Sequence, residues 1–115
     1  MRKVELTKVV GTCDSDLFKK MVESGDLTAV KVADSVGETI EVSGYAIANI
    51  TTDDKDFNIV YYATENGFIQ SGSEWFLKSI ENYYNDTKKF NIAKIKTSKG
   101  STFKAVPVLS DKGTE

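Results

Sequence analysis

The sequence predicts a small, mainly β protein: an OB-like five-stranded barrel with one helix between its third and fourth strands, preceded by a strand and helix extension. Three observations carry this. From residue 38 onward, five segments read as strands (38–50, 56–64, 68–71, 89–97 and 102–109), the longer ones with apolar residues at a spacing near two. Between the third and fourth, the run SEWFLKSIENYYND, 73–86, switches to helical spacing. Gly44 interrupts the longest strand, and a mid-strand glycine marks the bend or bulge that a small barrel needs in order to close.

The elements follow in order. RKVELTKVV, 2–10, reads as a strand. DSDLFKKMVESG, 14–25, reads as a short helix, with Asp14 or Ser15 to cap its start and Gly25 to end it. Leu17, Phe18, Met21 and Val22 form one apolar stripe, the pattern of a helix packed on something else. In ETIEVSGYAIANI, 38–50, Ile40, Val42, Gly44, Ala46, Ala48 and Ile50 share one face; Glu41, Ser43, Tyr45 and Asn49 share the other, with Ile47 as an exception. TTDDKD, 51–56, is a turn, and DFNIVYYAT, 56–64, a second strand. Asn66-Gly67 is a strong signal for a two-residue hairpin turn leading into FIQS, 68–71. Ser71 and Glu74 have capping-box spacing for the next helix, and Ser73 is an alternative cap. Phe76, Ile80, Tyr83 and Tyr84 should face the core. KFNIAKIKT, 89–97, and TFKAVPVL, 102–109, complete the series, with Pro107 pointing to an edge position or a strand end. Strand, strand, strand, helix, strand, strand is the element order of the OB-fold. Residues 1–36 then read as an N-terminal extension packing on the barrel, 37–109 as the barrel domain, and 110–115 as a short flexible tail.

Composition narrows the function. The chain has 115 residues, no histidine and a single cysteine. Ser-His-Asp and Cys-His catalysis are therefore excluded, as are histidine-based metal sites and a structural zinc site. A carboxylate-dependent enzyme is left without positive support, since no paired acids share a core-facing pocket, and the expectation is no enzyme, no cofactor and no metal. A lone Cys13 excludes an internal disulfide and fits a reducing, cytoplasmic setting. No window is apolar enough to span a membrane, and the N-terminus MRKVELTK lacks the apolar core of a secretory signal. DDKD, 53–56, lacks the spaced acids, glycine and terminal glutamate of a calcium loop.

The charge is uneven. The net charge is −2, yet residues 87–110 hold six lysines and no acid, against eight basic and fifteen acidic residues in 1–86. Such segregation marks either an anion-binding surface or a lysine-protected sheet edge. In KIKTSKGSTFKAV, 94–106, a three-residue turn at Lys99-Gly100-Ser101 sets Lys96 opposite Lys104, with Lys94 on the same face. Ala93, Ile95, Phe103 and Ala105 then form the core face. Like charges stacked across two strands repel, and a phosphate backbone crossing Lys94, Lys96, Lys99 and Lys104 would relieve that repulsion. Single-strand binders add aromatic platforms to such a track. In the second and third strands, Phe57, Ile59, Tyr61, Ala63 and Phe68 read as the core face, which leaves Val60, Tyr62 and Ile69 outside. The candidate platforms are Tyr62, Tyr45 and Trp75. Packing is the competing role for each, and for Trp75 the stronger one, at the bottom of the barrel.

SVGETIEVSGYAI, GFIQSGSEWFLKSIENYY and FNIAKIKTSKGSTFKAVPV together resemble the small single-stranded DNA-binding proteins of bacteriophages that infect Gram-positive bacteria. The likeness covers about residues 35–108. It implies an OB-like domain that coats single-stranded DNA in phage replication or recombination, without catalysis and largely without sequence preference. Replication or recombination proteins would be its partners. The short SDKGTE end argues against recruitment through an acidic tail. The alternative is a protein-interaction module, a phage structural or host-defence-blocking protein, that uses the sheet edge. A homodimer would pair through the extension or the edge at Pro107.

Overall fold

In the computed structural model, which describes residues 3–108, a single curled sheet carries two α-helices. The strands are β1 Lys3–Gly11, β2 Ala29–Lys31, β3 Thr39–Thr51, β4 Asp56–Thr64, β5 Gly67–Ser71, β6 Lys89–Thr97 and β7 Gly100–Pro107. Helix α1 is Asp16–Ser24 and α2 is Glu74–Tyr83, and a short 3-10 turn covers Val32–Ser35. The sheet runs β2-β5-β4-β3-β6-β7, with β1 added to β3. It curls into a barrel-like half-barrel in which β1, β2 and β7 each pair on one side only. The expected tail, 110–115, lies outside the described residues.

Both helices begin, and α1 ends, where local chemistry dictates. The Ser15 hydroxyl accepts the Phe18 N–H, and Gly25 closes α1 in the left-handed conformation at φ 81. For α2 the cap is Ser73, whose hydroxyl accepts the Phe76 N–H at 3.2 Å. Ser71, the capping-box candidate, instead accepts the N–H of Ser73. Residue 29–31 pairing was absent from the sequence reading: β2 is too short for periodicity to register, and it is held by parallel pairing to β5.

The sheet is buried on both sides. Inside the curl, Ile40, Val42, Tyr45, Val60, Tyr62, Ile69, Phe76, Ile80, Phe90, Ile92 and Ala105 pack together under α2. Outside it, Phe18 and Val22 of α1 pack with Cys13, Ala46, Ala48, Tyr61 and Ala63. The outer layer uses small alanines from β3, which let the helix approach the sheet. This corrects the expected faces. Tyr61, Ala63 and Phe68 face α1, whereas Val60, Tyr62 and Ile69 line the interior.

A bulge explains the rest of that correction. Along β3 the pairing with β4 shifts by one residue between Val42 and Gly44. One extra residue in a strand transfers every later side chain to the opposite face. Ile40 and Val42 therefore share the interior with Tyr45 and Ile47, while Ala46 and Ala48 turn outward to α1. Gly44 is required at that point: a Cβ there would lie 2.5 Å from the Val10 carbonyl oxygen and 2.6 Å from the Thr12 nitrogen. The expected Asn66-Gly67 turn is also displaced. Thr64 pairs with Gly67, so the loop is Glu65-Asn66. The slip is two residues in sum, so which side chains share a face is unchanged.

Candidate nucleic-acid interface

The β6–β7 hairpin pairs Phe90 with Pro107, Ile92 with Ala105, Lys94 with Phe103, Lys96 with Ser101 and Thr97 with Gly100. Its loop is Ser98-Lys99, two residues rather than the expected three. Gly100 closes it at φ 136 with open space around its Cα, so only the backbone conformation calls for glycine here. The Thr97 hydroxyl accepts the Lys99 N–H at 3.3 Å.

This register redistributes the lysines. Lys94 and Lys96 share a face with Phe103 and Ser101, while Lys104 lies on the other face with Ile95, Thr102 and Val106. The expected single stripe of Lys94, Lys96 and Lys104 is replaced by a tip that is cationic on both faces, with Lys99 at its end. The expected core set changes with it. Ala105 is buried and Phe103 half-buried, but Ile95 is exposed, because the strands outrun the barrel. All four lysines are exposed, and none has an ion-pair partner among the described residues. The ion pairs of the described residues lie elsewhere: Lys8 to Glu81 at 3.1 Å and Lys19 to Asp14 at 3.4 Å.

Trp75 lies in the helix whose start contacts this hairpin. The Ser73 hydroxyl meets the Thr102 hydroxyl at 3.2 Å, which docks the first turn of α2 on β7. Two residues on, Trp75 is 68% exposed. Its backbone is held, since the Ser79 hydroxyl donates to the Trp75 carbonyl at 2.8 Å. Packing at the barrel bottom is therefore not what this indole does. Glu74, on the same turn, is the acid nearest to it in sequence.

The other two aromatic candidates are inside. Tyr62 is fully buried, edge-on to Phe76 with ring centroids 5.1 Å apart. Tyr45 is buried against Tyr84, 5.3 Å between centroids. Neither ring has a face free for a base. The bulge at Ser43 carried Tyr45 inward, and Tyr62 belongs to the face that proved interior. The Lys8 ammonium lies 5.7 Å from the Tyr45 ring centroid, and its hydrogen bond to Glu81 raises its pKa.

The face of β4 and β5 that the sequence left outside, Val60, Tyr62 and Ile69, is interior, and the opposite face, Tyr61, Ala63 and Phe68, is covered by the protein's own helix. The Phe18 ring lies 5.5 Å from Phe68 and 6.4 Å from Tyr61. The amphipathic stripe of α1 was the signal for this, and Phe68 its partner. The loop joining β3 to β4 is a self-contained turn. Thr52 exchanges hydrogen bonds with Lys55, and the Asn49 amide donates to Asp56 at 2.7 Å. Among the described residues no cluster of acids and cysteine could hold a metal, and no helix is long and apolar enough to cross a membrane. Comparison with protein-family models, with curated proteins and with solved structures finds no match.

Proposed function

We propose that this protein binds single-stranded DNA, without catalysis and largely without regard to sequence, through the tip of the β6–β7 hairpin and Trp75. The observation that carries the reading is the tip itself. Four exposed lysines, unpaired among the described residues, project from a protein of net charge −2, and an exposed indole lies on the helix whose start contacts the same hairpin. An unpaired cationic track with an aromatic platform is the combination that single-strand binders use. The order of elements along the chain adds support. β3 to β7 with α2 between β5 and β6 follow the OB order, and in that fold the loop between the last two strands contacts oligonucleotides. Coating of single-stranded DNA in phage replication or recombination, in the host cytoplasm, is the setting that the sequence resemblance suggests.

A second reading has its own observation. Ile95 and Val106 are 38% and 41% exposed on the Lys104 face, a small apolar surface suited to a protein partner or a second copy. Titration of labelled oligo-dT separates the two. Neutralising roughly four phosphates gives a slope of about −3 in log K against log salt. The variant Lys94→Ala/Lys96→Ala/Lys99→Ala/Lys104→Ala should bring that slope close to zero, and a duplex of equal length should bind more weakly than the single strand. No binding of oligo-dT at low salt would sink the nucleic-acid reading and favour the protein partner.

A further inference from the structure

The edge strands β2 and β7 do not pair with each other, and a cleft of about 390 Å³ opens between them. Lys31, at the end of β2, with Val32 and Ala33 after it, lines one side; Ile59, Gln70 and Phe103 of β7 line the rest. We infer that this cleft takes one nucleobase of the bound strand, with Lys31 and Lys94 holding the flanking phosphates. The inference rests on the single-stranded DNA reading above.

Three features select a nucleotide. First, the size falls within the range of small-ligand pockets, toward its lower end, and the apolar Val32, Ile59 and Phe103 suit the faces of a flat ring. Phe103 is half-buried, so an aromatic wall is already fixed in place. Second, a polar group is available for a base edge. Gln70 donates its Nε2 to the Ala29 carbonyl at a long 3.4 Å, and its Oε1 has no partner among the described residues. Third, the cleft is apolar inside and cationic at its rim. Lys31 lines it, and Lys94 pairs across the hairpin with Phe103. An apolar peptide side chain would use the interior but leave both lysines unmatched; a nucleotide uses both. The cleft also runs to Ser73, the N-cap of the helix that carries the exposed Trp75.

The test uses labelled oligonucleotides and fluorescence anisotropy. Wild-type protein is titrated with oligo-dT and with an abasic strand of the same length, which keeps the phosphates and loses the bases. Ala33 is exposed, so Ala33→Trp fills the cleft from its rim without touching the core. The expected result is about tenfold weaker binding of oligo-dT by Ala33→Trp, since stacking of one base is worth about that factor. Its affinity for the abasic strand and its salt slope should match wild type, because the phosphate contacts remain. If Ala33→Trp does not fold, Phe103→Leu keeps the bulk of that wall, removes its aromatic face and should weaken oligo-dT several-fold in the same selective way. Equal affinity of variant and wild type for oligo-dT overturns the inference, as does equal weakening of both strands. Failure of wild type to bind oligo-dT at all overturns the DNA reading itself, and this inference with it.

Discussion

The β6–β7 hairpin is one ladder with two different ends. At its root, Phe90, Ile92 and Ala105 are completely buried inside the half-barrel. At its tip, from Lys94 to Phe103, the same alternation continues but the barrel does not, and Lys94 and Lys96 occupy the face that Phe90 and Ile92 occupy below. The pairing is continuous, so backbone geometry does not distinguish the two ends. What differs is whether anything lies opposite. The root has α2 and β3 across from it and contributes to stability; past half-buried Phe103 and the Ser73–Thr102 contact, the tip is exposed and presents charge. A strand that outruns its core is a way to hold lysines on a rigid support, where a flexible loop would lose more conformational entropy on binding.

The largest effects should follow from exchanging these roles. Phe90→Ala removes a fully buried ring and should cost about 4 kcal/mol of stability. Ile95→Ala, five residues away on the same strand, should fall within about 0.5 kcal/mol of wild type, because its side chain is exposed. Urea denaturation of the two variants side by side tests the division. A loss above about 2 kcal/mol for Ile95→Ala would mean that the tip is packed after all.

Alkaline pH sharpens the comparison next, because buried titratable groups belong to the scaffold and not to the tip. Cys13 is fully buried between α1 and the sheet, and burial pushes its thiol from 9.0 up to about 11. The folded protein therefore keeps its thiol proton at a pH where the unfolded chain has released it. Stability is intact below about pH 9 and falls as pH rises toward 11, by about 3 kcal/mol in all. Cys13→Ala lacks this group, so wild type should lose about that much more than the variant between pH 8 and 11, as read from urea midpoints. Parallel losses in the two proteins would show that the thiol is not desolvated.

How much of this was legible is decided by where local rules were enough. Ser15, Gly25 and the strand periodicities placed nearly every element, because caps, left-handed glycines and alternation act within a few residues. Gly44 announced a bulge, but its consequence for Tyr45 lay in a parity change that only the pairing with β4 reveals. The hairpin register was missed for the opposite reason. Choosing the register that gathers Ala93, Ile95, Phe103 and Ala105 assumes a core along the whole hairpin, and half of it has none. Likewise, reading β4 as one apolar face and one outer face assumes a single core, whereas α1 supplies a second. For the candidate site, the lysines were legible as a charge cluster and Trp75 as a residue off the helical stripe. Tyr62 and Tyr45 were not legible as buried, since a tyrosine looks the same in sequence whether its ring meets solvent or Phe76.

Tyr62 also supplies the smallest effect expected of a buried position, and a direct check on the inner face. Its hydroxyl is buried and has no hydrogen-bond partner among the described residues. Burial raises its pKa well above the ordinary tyrosine value, with Glu81 and Tyr45 adding to the shift. An unpaired buried hydroxyl costs about 1–3 kcal/mol relative to an apolar group of the same shape. Tyr62→Phe removes that oxygen and leaves the ring contact with Phe76 in place, so it should stabilise the protein by about 1 kcal/mol in urea denaturation. Its oligo-dT affinity should equal that of wild type, whereas Trp75→Ala should weaken binding about tenfold with little change in stability. The two aromatics then separate as the two ends of the hairpin do, one acting only on folding and the other only on the ligand. A loss of stability in Tyr62→Phe would mean instead that the hydroxyl is satisfied and that the interior of the half-barrel is a polar site.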